Sequence, residues 1–226
     1  MQTKIPSIVT KDTDTLASYI LVAIGFFLPI SVAGVNIMLA LLVVLFLWER
    51  KYQKRFLKIK YNPIVYIVLA IVLMHIIGCL WSENLSMAGE TLRRGWKLMW
   101  IPFFMMFMKR EHIYYYLQAF IFGMMISEIL TYLVWLDILP LFKYATKEMP
   151  APLMQHTYYT PYVAIAAMLL IYFLLYKKHK TLIQKVVIAF FIVTMLINLS
   201  FTGGRAGQIG FLVLLFVLIA YYYREK

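Results

Sequence analysis

The sequence predicts an all-α fold, a polytopic helical membrane protein with about eight transmembrane segments. The composition is 63% hydrophobic and only 14% charged, which is less charge than a soluble domain carries on its surface. Apolar runs long enough to cross a bilayer recur along the whole length. Basic residues collect in alternate loops between these runs, as in membrane proteins. We therefore expect residues 1–226 to form a single transmembrane domain.

The expected segments differ in length. The second and the fourth are short for a span of ~20 residues, so we expect them to be tilted, broken or re-entrant. Pro29 and Gly34 separate the first two segments, because one continuous helix there would be about 50 Å long, too long for the bilayer. In chain order, the segments are residues 16–32, 35–48, 63–80, 96–108, 113–136, 161–176, 182–199 and 206–223.

The distribution of basic residues predicts the orientation. Most of the 22 lysines and arginines lie near the two termini or in loops expected on the same side as the termini. The positive-inside rule places that side in the cytoplasm, so we expect an N-in, C-in membrane protein. The same topology explains the net charge of +12 without a nucleic-acid partner. The exceptions, expected at the outer face, are Arg93, Arg94, Lys97, Lys143, Lys147 and Arg205.

Cysteine and histidine usage limits the chemistry. The single cysteine, Cys79, excludes an intrachain disulfide. No group of histidine, cysteine and acidic residues has the spacing of metal ligands, so we assign neither a metal nor another cofactor. No small-residue cleavage site follows the first apolar run, so we expect no cleavable signal peptide.

Arg205 stands out because it lies between two apolar helices on the expected outer side. Gly203 and Gly204 are expected to leave backbone N–H groups free at the start of the last helix, where the helix dipole adds positive charge. Thr202 is expected to cap that helix. Because the planar fork of arginine matches phosphate oxygens, the pattern predicts an anion-binding site. The alternative is an arginine that only snorkels to lipid headgroups or that pairs with Glu128.

Residues 81–97 have the pattern of an amphipathic interfacial helix, with apolar side chains at helical spacing on one side. Glu90, Arg93 and Arg94 lie on the other side. The two arginines are candidates for binding a pyrophosphate group. The alternative is a surface helix with a Glu90–Arg94 pair at i,i+4 and basic side chains against headgroups.

Other polar residues lie near the expected outer face. His156 precedes the sixth segment and is a candidate substrate contact, because histidine titrates near neutral pH. The neighbouring tyrosines are expected to form the aromatic belt or, alternatively, a platform for a sugar or isoprenoid. Glu128 lies inside the fifth segment and needs a partner or a proton. We expect a structural ion pair with an arginine, with a general base as the alternative, and assign no catalytic residue.

Two short runs carry a family resemblance. Residues 198–207 (Asn-Leu-Ser-Phe-Thr-Gly-Gly-Arg-Ala-Gly), followed by an apolar helix, resemble the membrane core of the O-antigen ligase and O-antigen polymerase superfamily. In that family a Thr-x-Ser-Arg-like or Thr-x-x-Arg-like turn opens a transmembrane helix on the periplasmic side. Residues 80–84 (Leu-Trp-Ser-Glu-Asn), followed by Leu92, Arg93 and Arg94, are similar to the family's outer loop. Gly204 stands where serine is common in the family.

The resemblance implies a chemistry. A glycan linked through pyrophosphate to undecaprenol is transferred to an acceptor hydroxyl, such as a sugar of lipid A-core. Periplasmic arginines hold the pyrophosphate leaving group, where binding energy acts on the charge that develops as the glycosidic bond breaks. The implied partners are this lipid-linked donor, a glycan acceptor and membrane lipids, without a metal or a nucleotide.

Members of the superfamily have more transmembrane helices and a large periplasmic loop in their C-terminal half, with a functionally important histidine and arginine. We therefore expect this chain to be the N-terminal portion of a larger membrane enzyme, which binds the lipid carrier but is inactive in transfer on its own. The alternatives are a polymerase and a transporter or channel subunit. A transporter would carry polar residues through the membrane depth and paired broken helices. A non-catalytic assembly factor would tolerate loss of Arg205.

Overall fold

The computed structural model describes residues 7–141, 145–146, 150–176 and 181–224, without the side chains of residues 7–12, Leu85 and His156. Within these ranges all regular elements are helical, which confirms the all-α prediction. Two 3₁₀ turns, Trp96–Met99 and Arg110–His112, flank the sixth α-helix. The α-helices are α1 (Ser7–Phe27), α2 (Val32–Glu49), α3 (Tyr52–Ile59), α4 (Pro63–Cys79), α5 (Leu85–Gly95), α6 (Trp100–Phe107), α7 (Ile113–Trp135), α8 (His156–Tyr176), α9 (Leu182–Phe201) and α10 (Arg205–Arg224).

Length and composition make several of these helices able to cross a membrane. Five described helices qualify on their own: α2, α7 with the turn before it, α8, α9 and α10. Helices α3 and α4 qualify only as a pair, bent by 95° at the break between them. The described helices are therefore compatible with a multi-pass membrane protein that has five or six candidate spans. Helix α2, with 18 residues, is longer than the segment expected there.

Two of the expected segments form shorter helices. The apolar part of α1 covers only Thr13–Phe27. Segment 96–108 forms a 3₁₀ turn and the eight-residue helix α6. An eight-residue helix is about 12 Å long, less than half of a bilayer core of ~30 Å. The number of eight spans therefore stays a prediction.

The chain divides into two compact units, each described here by itself. Unit 1 comprises Met1–Leu21 and Ala40–Ile113, and unit 2 comprises Val22–Leu39 and Tyr114–Lys226. In unit 1, α4 packs against α5, the turn after it and α6, and α3 packs against α6. In unit 2, α8 packs against both α9 and α10.

Helix α8 forms the centre of the unit 2 core. Its buried face carries Tyr159, Val163 and several alanines, and it meets Met124 of α7 and Met195 of α9. Small residues let neighbouring helices approach closely, which favours packing between membrane helices. By contrast, α10 exposes most of its apolar side chains, as a helix in contact with lipid does.

Helix α8 begins earlier than predicted. We expected Pro161 to open it, but the helix starts at His156 and contains the proline. The backbone N–H groups of Tyr158 and Tyr159 both donate to the carbonyl of Gln155 (3.0 and 3.1 Å), so a helical turn has already formed upstream. A proline near a helix start removes a single backbone donor, which a packed helix tolerates. The early start places Tyr159 and Thr160 on the buried helix rather than in a loop.

Candidate functional site

The turn between α9 and α10, residues 200–207, is called the Arg205 turn below. Thr202 ends α9, and both its backbone N–H and its hydroxyl donate to the carbonyl of Asn198 (3.0 and 2.8 Å). Gln208 donates from its side-chain amide to the carbonyl of Leu199 (3.1 Å). The expectation that Thr202 caps the last helix is therefore wrong. A buried threonine satisfies its hydroxyl by bonding back to the carbonyl four residues earlier, and here that carbonyl belongs to α9.

The glycines of the Arg205 turn have distinct roles. Gly203 has a φ of 61°, a left-handed conformation that glycine adopts without steric cost, and it reverses the chain after α9. Gly204 is buried, and a Cβ atom there would lie 2.1 Å from the hydroxyl oxygen of Thr160. A Cβ atom at Gly207 would lie 2.5 Å from the carbonyl carbon of Thr160. Gly204, directly before α10, and Gly207, on α10, thus let this part of the backbone lie directly against α8.

Arg205 is the first residue of α10, and its side chain is exposed. In the described part of the chain no carboxylate lies within ion-pair distance of it, and the expected pair with Glu128 is absent. The backbone N–H groups of Gly203, Gly204 and Ala206 make no backbone hydrogen bond within the described ranges. The turn therefore presents a planar cation at a helix N-terminus, which suits an oxygen anion.

Helix α5 contains the other two predicted arginines and belongs to unit 1. Asn84 caps it by accepting a hydrogen bond from the N–H of Met87 (3.1 Å). Arg94 donates to Glu90 at 3.3 Å, and both side chains are exposed. This is the i,i+4 pair that the sequence predicted, and it contributes only a few tenths of a kcal/mol. Arg93 is also exposed and makes no ion pair within the described part of the chain.

Other predicted outer residues fall outside the description. The backbone of His156 begins α8, but its side chain lies outside the described part of the chain. Lys143 and Lys147 also lie outside it. Their roles as outer-face residues stay predictions.

Sequence reasoning missed a buried ion cluster in unit 1. Arg55 is 7% exposed and donates to both carboxylate oxygens of Glu49: Nε donates to Oε2 (3.0 Å), and Nη2 donates to Oε1 (3.0 Å) and to Oε2 (2.8 Å). It also bonds to Asp14 and donates from Nη1 to the carbonyl of Met106 (3.3 Å). From the sequence, Arg55 is one of the basic loop residues that the positive-inside rule places in the cytoplasm. The bidentate geometry, with partners on the three helices α1, α2 and α6, instead makes it a structural link.

The same cluster affects neighbouring titratable groups. Asp14 precedes the first expected span, and its burial raises the pKa of its carboxyl, but the hydrogen bond and charge of Arg55 outweigh this and hold the pKa below its ordinary value. Burial lowers the pKa of Lys58, and the charge of Arg55 adds to that effect. Lys58 donates to the carbonyls of Met106 (3.1 Å) and Met108 (2.6 Å). A cation there satisfies free carbonyls at the C-terminus of α6.

Unit 1 also contains an apolar groove of about 860 Å³ between α3, α4, α6 and the 3₁₀ turn before α6. Trp96, Trp100, Phe103 and Tyr66 contribute aromatic walls, and Lys60 lies at the α3 end. A groove of this volume with apolar walls fits part of a long hydrocarbon chain. The sequence did not reveal it, because the bend between α3 and α4 creates it.

No known protein family, curated protein or solved structure matches this chain. The likeness to the O-antigen ligase and polymerase superfamily therefore rests on the two short runs of residues alone. The chemistry of the Arg205 turn follows from its own groups: an exposed guanidinium, a helix N-terminus and a rigid glycine contact with α8. Such a turn can bind the oxygens of a phosphate or a pyrophosphate.

Proposed function

We propose that this chain is an inner-membrane protein with eight spans and both termini in the cytoplasm, which binds an undecaprenyl-pyrophosphate-linked glycan at the periplasmic face. In this proposal it serves the transfer of that glycan to an acceptor sugar hydroxyl, as an O-antigen ligase does. The observation that supports it is the exposed side chain of Arg205 at the start of α10, without an ion-pair partner in the described part.

The geometry of the Arg205 turn favours a specific phosphate-binding site over a nonspecific attraction of anions. Guanidinium groups bind two phosphate oxygens at once, and the helix dipole adds to the attraction. The contact of Gly204 and Gly207 with Thr160 fixes the start of α10, so little conformational freedom is lost on binding. A snorkelling arginine needs none of these features.

The proposed chemistry breaks the bond between the glycan and the pyrophosphate. The acceptor hydroxyl attacks the sugar, the pyrophosphate leaves with the bonding electron pair, and the hydroxyl proton passes to a base. Arg205 stabilises the negative charge that grows on the leaving group. The exposed Arg93 and Arg94 of α5 are further candidates for holding the donor. We assign the base to no residue of this chain.

The apolar groove in unit 1 supports a lipid-linked substrate. Its volume of about 860 Å³ and its aromatic walls suit a segment of an isoprenoid chain. The groove would accept the isoprenoid chain and the acyl chain of an ordinary membrane lipid equally well. The proposal therefore depends on Arg205.

Binding of the isolated phosphate-bearing lipid tests the proposal. We expect the chain in nanodiscs to bind undecaprenyl pyrophosphate, and Arg205→Ala to weaken this binding by about 10–100-fold, because one charge-assisted contact contributes ~1.5–3 kcal/mol. Arg205→Lys should restore little, because lysine keeps the charge but loses the fork. Arg224→Ala is the matched control, since Arg224 is the exposed arginine at the other end of α10.

Two outcomes would contradict the proposal. Full binding by Arg205→Lys would assign Arg205 to snorkelling, and equal loss in Arg224→Ala would indicate a general attraction of cations to the anionic lipid. A transporter or channel subunit for a hydrophilic solute would keep its flux in Arg205→Ala. An O-antigen polymerase would use the same donor but extend a lipid-linked glycan rather than lipid A-core, so the acceptor in a cellular transfer assay separates the two enzymes.

A further inference from the structure

Unit 2 contains a buried polar cluster that the proposed function does not use. Glu128 lies on α7, seven residues before the end of the helix at Trp135, which is about 10 Å along the axis. It is only 1% exposed. The other members of the cluster are equally buried and come from three helices: Ser127 and Thr131 of α7, Tyr159 of α8, and Asn198 of α9.

Several polar atoms of the cluster have no hydrogen-bond partner among the described residues. The amide nitrogen of Asn198 donates to the hydroxyl of Tyr159 (3.0 Å), and the hydroxyl of Thr131 donates to the carbonyl of Ser127 (2.9 Å). Thr194 lies near the carboxylate, but its hydroxyl is directed at carbonyls of its own helix. Both carboxylate oxygens of Glu128, the side-chain oxygen of Asn198 and the hydroxyl of Ser127 have no partner in the described part.

No charge nearby compensates an ionised Glu128. The titratable groups that face it are Tyr132 on its own helix and Tyr159 on α8, and α9 contributes the uncharged Thr194. In the described ranges no lysine, arginine or histidine lies within ion-pair distance. An isolated carboxylate among packed membrane helices is strongly disfavoured. A bound proton removes the charge and at the same time supplies a donor to the acceptor-rich cluster.

We propose that Glu128 is a proton-binding site inside unit 2, which takes up and releases a proton as a neutral carboxylic acid. The reaction is the exchange of one proton between the carboxyl group and water. This inference concerns a separate site and does not depend on phosphate binding at Arg205.

A small cavity lies beside the buried polar cluster and is the candidate route for proton exchange with water. It has a volume of about 10 Å³, close to the space that one water molecule needs. Thr131 and Asn198 of the buried polar cluster line it, together with Thr202 of the Arg205 turn and Trp135 at the end of α7. Glu128 itself does not line the cavity, but Thr131 and Asn198 of its cluster do, and Thr202 belongs to the Arg205 turn. In the proposal, the proton exchanges with water through this cavity.

Infrared spectroscopy on the whole chain in lipid tests this directly. At about pH 7 an exposed glutamate is ionised, so we expect a protonated carboxyl band from Glu128 alone, which Glu128→Gln removes. Glu90→Gln is the matched control, because Glu90 is exposed on α5, and should leave the band unchanged. Thermal unfolding of Glu128→Gln should match the wild type, since the amide is also neutral.

The exchange route has its own measurement. In heavy water the band should shift as the proton exchanges, and Asn198→Leu should slow that shift by about tenfold or more if the cavity carries the proton, whereas Thr194→Val should not. If Glu128→Gln does not fold, the presence or absence of the protonated carboxyl band in the wild type at pH 7 still tests the proposal. Absence of the band in folded wild-type protein overturns the proposal. So does stability that depends on sodium in the wild type and not in Glu128→Gln, which would indicate a metal cation instead.

Discussion

The glycines at the start of α10 show how the absence of a Cβ atom allows a turn to pack closely against a neighbouring helix. The sequence suggested that Gly203 and Gly204 free N–H groups for an anion. Gly203 does adopt a left-handed conformation, but Gly204 and Gly207 are needed because α8 leaves no room for a Cβ atom. The second reason is invisible in the sequence, because the atoms that exclude the methyl group belong to Thr160, more than forty residues away.

A comparison of glycines on α10 tests this contact. Gly207→Ala should lower the thermal stability, because a Cβ atom 2.5 Å from backbone of α8 forces a shift that costs ~1–3 kcal/mol. Gly210→Ala is the control on the same helix, since nothing lies within 4 Å of its Cβ position. That variant should be neutral or stabilised by up to ~1 kcal/mol through helix propensity. Equal unfolding temperatures in detergent for the two variants would refute the close approach.

Arg55 shows that the sequence does not distinguish a buried, paired basic residue from exposed ones. From the sequence it is one basic residue among six in a short loop. In the structure it is buried, bonded to Glu49 and Asp14, and stacked 4.6 Å from the ring centre of Phe107. Its partners come from distant positions, so only the packing of unit 1 distinguishes it from its exposed neighbour Lys54.

Among the elements, α5 agrees best with its prediction. Its expected amphipathic helix, its polar face and the Glu90–Arg94 pair are all present, because local spacing and the Asn84 cap determine them. Packing against α4 adds a detail that spacing cannot give: a Cβ atom at Gly95 would lie 3.2 Å from the ring of His75.

The role of the α5 arginines can be separated from the stability of the helix. We expect Arg93→Ala and Arg94→Ala each to weaken binding of undecaprenyl pyrophosphate, by ~1.5–3 kcal/mol if the contact is charge-assisted. Glu90→Ala removes the partner of Arg94 and should change only stability, by about 0.5 kcal/mol or less. Calorimetric titration and thermal unfolding of the three variants measure the two effects. Unchanged affinity in both arginine variants would leave α5 as a surface helix that contacts lipid headgroups.

Elements near α3 and α6 depart furthest from expectation. The apolar stretch 96–108 looks like a short span, but α6 contains only eight residues and α3 lies at 95° to α4. Hydropathy reports the composition of a stretch and not its direction. The bend is stabilised by Lys58, whose ammonium group bonds to the carbonyls at the end of α6, and by the neighbouring Arg55.

At the scale of the whole molecule, the orientation in the membrane is the prediction with the widest consequences. Reporters fused after Tyr61 or Lys178 should be active in the cytoplasm, and one after Lys147 in the periplasm, because basic loops stay inside. Alkaline phosphatase and a fluorescent protein report the two sides. A periplasmic signal after Lys178 would place the Arg205 turn in the cytoplasm and would exclude a role in periplasmic glycan transfer.

The sequence by itself determined the all-helical class, the presence of several apolar helices long enough to span a membrane, the α5 pair and the turn at Arg205. These depend on composition and on residues a few positions apart, where spacing is informative. Only the tertiary structure decided which helix Thr202 caps, why Gly204 and Gly207 are glycines, and which polar groups surround Glu128. The last two depend on atoms from different helices, and no local pattern records which helix packs against which.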